Sequence, residues 1–249
     1  MLTRAKRLIA LAASATLMFS ACLRLPPTEV PIPRISDLRD DGAGRTLVVM
    51  LPGMGDRAET FAAEQFTEIA QARGYDTVAV DAHFGYYREQ SLVARLHEDV
   101  IGPARDRGYE DIWLLGISLG GFGALYYAQE RPDDVAGLIL LAPYVGDDKI
   151  ITDIMAAESL DAWSPDGKDF PAHEVAVWSW LREQTANPEG KPLVLAYGES
   201  DRLAGAYSPL LDRIPPARIY TLPSGHKWTT WRPLWANIAP EFNGSHSSP

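Results

Sequence analysis

Apolar and polar positions alternate along this chain between two spacings. Six short apolar runs have strand length: Thr46–Leu51, Thr77–Val80, Ile112–Leu115, Ala136–Leu141, Pro192–Tyr197 and Arg218–Leu222. The stretches between them keep a helical period. Residues 58–73 place Phe61, Ala62, Ile69 and Ala70 on one side and stop at Gly74. Residues 89–105 read as a second helix, and Phe122, Leu125, Tyr126 and Tyr127 recur at helical spacing in a third. Residues 228–238 predict a closing helix in spite of Pro233. Strands alternating with helices predict βαβ units, hence an α/β fold with a mainly parallel sheet. No internal repeat is present.

The third predicted strand runs straight into Gly116-Ile117-Ser118-Leu119-Gly120, with Gly121 and Gly123 beyond. Strand, sharp turn with one serine, then helix is the context a G-x-S-x-G nucleophile elbow needs. The serine occupies a strained turn, and a Cβ at Gly116 or Gly120 would crowd neighbouring backbone. Gly121 and Gly123 allow the helix to lie close to the strand. The helix N-terminus turns amide donors and its positive end towards an anion beside Ser118.

An elbow of this kind calls for an acid and then a histidine further along. Gly198-Glu199-Ser200-Asp201 follows the Pro192–Tyr197 strand, on the edge where open α/β sheets place their sites. Asp201 is the best-placed acid, with Glu199 a neighbouring loop acid and Asp147 or Asp148, after the Ala136–Leu141 strand, the alternative. His226 lies in the glycine-containing loop past the last strand. His97 falls within a helix, His173 in an insertion, His246 in the polar tail, and His83 precedes the elbow. The chemistry requires all three members. A base must take the hydroxyl proton of Ser118, and an acid must hold the base in the right tautomer and stabilise its charged form. Leu51-Pro-Gly-Met-Gly-Asp56 follows the first strand, where one oxyanion donor is expected. Met54 N–H is the first candidate donor and Leu119 N–H, directly after the nucleophile, the second.

Over residues 45–240 these motifs resemble the α/β-hydrolase superfamily of serine esterases and lipases. The resemblance implies an α/β-hydrolase fold, a mainly parallel sheet flanked by helices, and a serine hydrolase without metal or cofactor. Residues 143–190 are too long for a simple crossover and predict a small helical lid. That insertion carries Trp163, Trp178 and Trp180, and Trp228, Trp231 and Trp235 follow the histidine. Trp163, Trp178 and Trp228 are therefore candidates for an apolar substrate wall, with packing between lid and body as the competing reading. The expected activity is hydrolysis of a small-molecule or lipid carboxylic ester, with a lipidic or medium-length acyl group, through a Ser118 acyl-enzyme. Amide, thioester or acyl-transfer chemistry remains open, as does a binding protein that keeps the fold without the reaction.

The first residues add a location. Arg4, Lys6 and Arg7 precede an apolar stretch from Leu8 to Phe19, then Ser20-Ala21 and the single cysteine, Cys22. Residues 1–21 read as a signal peptide, and residues 17–22 resemble the lipobox of bacterial lipoproteins. That resemblance implies acylation of Cys22, a membrane anchor, and export to the periplasmic or cell-surface side. Pro26, Pro27, Pro31 and Pro33 mark residues 22–44 as a tether, part of which adds an edge strand. Residues 241–249 form a polar tail. With 23 Lys and Arg against 33 Asp and Glu, the net charge is −10 over 249 residues. An acidic chain with no basic cluster in its body is a poor match for nucleic acid.

Overall fold

The computed structural model describes residues 26–39 and 45–242. The signal segment, Cys22 and residues 243–249 lie outside the described residues. Seven strands form one sheet in the order β1-β3-β2-β4-β5-β6-β7. They are β1 (Arg34–Asp37), β2 (Thr46–Leu51), β3 (Asp76–Val80), β4 (Asp111–Ile117), β5 (Gly137–Leu141), β6 (Leu193–Gly198) and β7 (Ile219–Leu222). Every pairing is parallel except that of β1 with β3. The helices are α1 (Ala58–Ala63), α2 (Phe66–Gln71), α3 (Phe84–Arg88), α4 (Leu92–Leu96), α5 (Gly102–Asp106), α6 (Leu119–Glu130), α7 (Asp148–Ala156), α8 (Ala172–Ala186), α9 (Ser208–Leu211) and α10 (Trp228–Ile238).

The central strands read as unbroken apolar runs because both faces of the sheet are covered. Leu47, Val49, Leu51, Leu114, Leu138 and Leu140 point into a core shared with α4, α6, α7 and α8. Their neighbours Val48, Met50, Leu115, Ile117, Ile139 and Leu141 point the other way, into a core shared with α1, α2 and α10. The period-2 geometry of a strand makes this division unavoidable.

Two elements depart from the periodic reading. The helix expected over 58–73 is broken at Gln65, which takes a left-handed conformation with φ 64°. Phe61 and Phe66 would stand roughly 140° apart on an unbroken helix at 3.6 residues per turn. The break lets both rings reach the same core, edge to face at 5.7 Å. The helix expected over 89–105 begins at Leu92 and passes through a π-helical turn at His97–Ile101 before α5.

The described part of the proline-rich stretch is fastened to the body at several points. Ile32 is buried and its N–H donates to Asp99 Oδ2 at 2.8 Å. Glu29 N–H donates to the Tyr86 hydroxyl, which in turn donates to Glu29 O. Pro31 and Pro33 lie ahead of β1, so neither is called on to donate in its ladder with β3. The helical insertion of residues 143–190 supplies α7 and α8, and its Ile150, Ile154, Trp163, Trp178 and Leu181 enter the first core.

Candidate active site

The C-terminal ends of β4, β6 and β7 bring three of the expected residues together. Ser118 follows β4 with φ 50° and ψ −114°, a backbone conformation that is strained for any residue with a Cβ. Its surroundings hold it there. Ser118 N–H donates to Leu141 O at 3.0 Å, and Ser118 O accepts from the N–H groups of Tyr144, Gly121 and Phe122. A Cβ on Gly116 would stand 2.3 Å from Gly120 O, and one on Gly120 2.1 Å from Leu51 O. Both glycines are thus required by the backbone that approaches them.

Asp201 and His226 come from loops stitched to one another after β6 and β7. Glu199 N–H donates to Leu222 O and Ser200 N–H to Ser224 O. Thr230, in α10, donates to Gly225 O at 2.8 Å and so fixes the glycine before the histidine. His226 Nδ1 lies 2.7 Å from Asp201 Oδ2, and His226 Nε2 lies 3.0 Å from Ser118 Oγ. The Asp201 carboxylate is buried, and its Oδ1 accepts the N–H of Leu203 at 2.9 Å. A carboxylate accepts only, so Nδ1 carries the proton towards Asp201. That leaves Nε2 free to accept the serine proton. Trp231 braces the imidazole edge to face at 4.9 Å.

The alternative acids are elsewhere. Asp147 and Asp148 are exposed at the start of α7, and Glu199 is exposed with its carboxylate on Thr221. Of the other described histidines, His83 accepts the N–H of Gly85, His97 contacts Asp134 and Tyr127, and His173 packs on Phe122.

The first oxyanion candidate lies on a loop that touches the nucleophile. A Cβ on Gly53 would stand 3.6 Å from Ser118 Cβ, and Met54, the next residue, projects its side chain into solvent. Leu119 is the first residue of α6, so its N–H has no acceptor within the helix.

Two of the three tryptophans expected to line a substrate wall do not. Trp163 and Trp178 are buried, with their indole N–H groups donating to Asp153 and to Val145 O. A large ring in this insertion gains more from the core than from an open wall, so the packing reading holds for both. Trp228 is half-buried, against Phe61, Phe66 and Trp231.

Three residues near the site escaped the periodic reading. The Tyr87 hydroxyl donates to Leu119 O at 3.2 Å, and burial pushes its pKa well above the usual phenol value. Tyr144 secures the elbow through its backbone, which no sequence pattern marks. Asp56 ends the loop that begins at Pro52, and an acid beside a candidate oxyanion loop was its one visible signal. A cleft of about 400 Å³ runs along α6, walled by Tyr86, Tyr87, Phe122, Tyr126 and His173. Ser118 and His226 are not part of its wall. No group of three or more His, Cys, Asp or Glu among the described residues could hold a metal ion.

Comparison with known proteins bears on the fold. The family model described as serine aminopeptidase, S33, matches residues 42–165. Ferulic-acid-bound Est1E from Butyrivibrio proteoclasticus superposes with a TM-score of 0.59 at 19% identity, covering 85% of this chain and 93% of that one. A putative non-heme bromoperoxidase, BpoC, from Mycobacterium tuberculosis does so with a TM-score of 0.56 at 18% identity, covering 90% and 100%.

The fold is that of the α/β-hydrolases.

FphF, a fluorophosphonate-binding serine hydrolase of Staphylococcus aureus, is a further structure similar to this α/β-hydrolase fold. Its TM-score is 0.55 at 14% identity, over 87% of this chain and 95% of that one. No curated protein matches the chain significantly in sequence.

Proposed function

We propose that this α/β-hydrolase cleaves carboxylic esters of small or lipidic substrates through a Ser118 acyl-enzyme. The observation that carries the reading is the unbroken hydrogen-bonded line from Ser118 Oγ through His226 to buried Asp201. In this mechanism Nε2 of His226 takes the proton as Ser118 Oγ attacks the carbonyl carbon. The developing oxyanion is received by the N–H groups of Met54 and Leu119. The tetrahedral adduct collapses, and His226 returns the proton to the leaving alcohol. Water then enters and adds to the acyl carbon as His226 takes its proton; the second adduct collapses, His226 gives that proton to Ser118 Oγ, and the acid leaves. The aromatic cleft beside α6 offers room for an apolar part of the substrate. An amide bond is the second reading, favoured by the name of the family matched over residues 42–165.

A fluorophosphonate probe is expected to label the wild-type protein at Ser118, and p-nitrophenyl esters are expected to turn over. Ser118→Ala should lose both signals. Labelling that persists in the variant would remove Ser118 as the nucleophile.

The location is part of the proposal. Acylated Cys22 would hold the enzyme on a membrane, on the exported side. No helix among the described residues is long and apolar enough to cross a membrane. Full-length protein expressed in a bacterial host is expected in the detergent phase of a Triton X-114 separation, and Cys22→Ser in the aqueous phase. Wild-type protein found wholly in the aqueous phase would replace the anchor with plain secretion.

A further inference from the structure

The chain reaches the sheet from the edge that carries the triad. β1 runs antiparallel to β3, with Arg34 opposite Val80 and Asp37 opposite Thr77. Its first residue therefore lies beside the C-terminal end of β3, where Pro33 O accepts the N–H of Asp81 at 2.8 Å. Ser118, Asp201 and His226 follow the same ends of β4, β6 and β7. Had β1 been parallel to its neighbour, the chain would have arrived at the opposite edge.

Ahead of Pro33 the chain stays on the body. Ile32 is tied to Asp99 and Glu29 to the Tyr86 hydroxyl, and the Thr28 hydroxyl donates to Glu89 Oε2 at 2.6 Å. Pro26, the first described residue, lies against α3, since a Cβ on Gly85 would stand 3.3 Å from Pro26 O. α3 joins this fastening to the site. Tyr86 binds Glu29 and walls the cleft, while Tyr87 donates to Leu119 O beside the nucleophile.

The same edge exposes apolar side chains. Phe84, the first residue of α3, is 39% exposed, Val30 71% and Met54 66%. Met54 lies on the loop after β2, the strand next to β3, and the loops after these two strands are joined by the ion pair of Arg57 with Asp81. Three large apolar groups are thus open to water on adjoining segments, and such an arrangement marks a surface that meets something apolar.

We propose that this edge is the face the protein turns to the membrane, with Val30, Met54 and Phe84 as its lipid contacts. This rests on Cys22 being the acylated anchor. Cys22 is four residues ahead of Pro26, and four residues of extended chain span no more than about 14 Å. A folded body of about 200 residues is roughly 40 Å across. The leash is much shorter than the body is wide, so Pro26 and α3 stay close to the bilayer and the far edge of the sheet cannot be the one that rests on it. Lying on a flank would satisfy the leash equally well. The exposed apolar groups decide for the edge, because sinking them into the headgroup–acyl boundary removes their surface from water. In this orientation Ser118 meets esters whose acyl chains stay in the bilayer, the lipidic part of the proposed substrate range.

The test uses full-length lipidated protein in vesicles of phosphatidylethanolamine and phosphatidylglycerol that include a nitroxide-labelled lipid. With Cys22 acylated, an introduced cysteine is the one free thiol, and it carries an environment-sensitive fluorophore. Phe84→Cys and Met54→Cys report on the catalytic edge. Glu110→Cys, exposed at the residue before β4, reports on the opposite edge. Nitroxide quenching is expected to be greater at both catalytic-edge positions than at Glu110→Cys, by on the order of threefold or more. Val30→Cys decides in place of either variant that fails to fold. Quenching at Glu110→Cys that equals or exceeds the others would overturn the proposal. So would the absence of quenching at every position in protein that floats with the vesicles. Both results leave the anchor standing and remove only the orientation. Wild-type protein that neither floats with the vesicles nor enters the Triton X-114 detergent phase removes the anchor and this inference with it.

Discussion

Asp201→Asn is expected to reduce kcat by about 10⁴ while the melting temperature stays within a few degrees, as the same change does in a serine-protease triad. The cause is visible in the two bonds of the carboxylate. Oδ1 accepts the backbone N–H of Leu203, and Oδ2 faces His226 Nδ1. An asparagine of the same shape must keep its oxygen on the Leu203 N–H, since two donors cannot face each other. Its amide NH₂ is then turned to Nδ1, which must become an acceptor. The imidazole proton moves to Nε2 and points at Ser118 Oγ, so the ring can no longer take the serine proton. Steady-state kinetics with a p-nitrophenyl ester, paired with a thermal melt, measures both halves of the expectation. A variant with near-wild-type kcat would mean that Asp201 is not the acid of the triad.

Gly120→Ala is expected to destabilise the fold by at least ~3 kcal/mol and to abolish esterase turnover and fluorophosphonate labelling together. The added methyl would stand 2.1 Å from Leu51 O, 2.5 Å from Leu51 C and 2.6 Å from Pro52 O. All three are backbone atoms at the end of β2, whose ladder with β4 runs to the pair Leu51 and Gly116. No rotamer change can relieve the contact, so either α6 lifts off the sheet or the β2 end moves. Both would displace Ser118 from His226 and carry off the loop that includes Gly53. Gly53→Ala is the matched control for stability. Its nearest neighbours would lie 3.4 Å away or more, ordinary contact, and its stability should stay within about 1 kcal/mol of wild type. Chemical denaturation of the two variants side by side checks the difference, and equal stabilities would mean that the elbow has slack the packing does not suggest.

The residues by themselves determined the class of fold and the order of its parts. Apolar runs of strand length separated by helical periods can only bury their faces as a layered α/β sheet. G-x-S-x-G at a strand-to-helix junction marked Ser118, and chain order pointed to the loops of Asp201 and His226. The closing helix was legible for the same reason, because its signal is local, whereas the edge strand was expected only somewhere within residues 22–44.

What the tertiary structure decided is everything set by close approach between segments distant in sequence. The choice of Asp201 over Asp147 or Asp148 depends on loops after β6 and β7 being tied by hydrogen bonds, which a one-dimensional pattern does not contain. The fate of the tryptophans is similar: Trp163 and Trp178 are equally apolar in a core or at a mouth, and only packing sends them inward. Gln65 breaks a helix whose periodicity looked continuous, because two phenylalanines five residues apart must meet in one core. Asp56 Oδ2 and Ser118 Cβ both come within 3.6 Å of where a Gly53 side chain would begin although 62 residues separate them, an approach that no local pattern records.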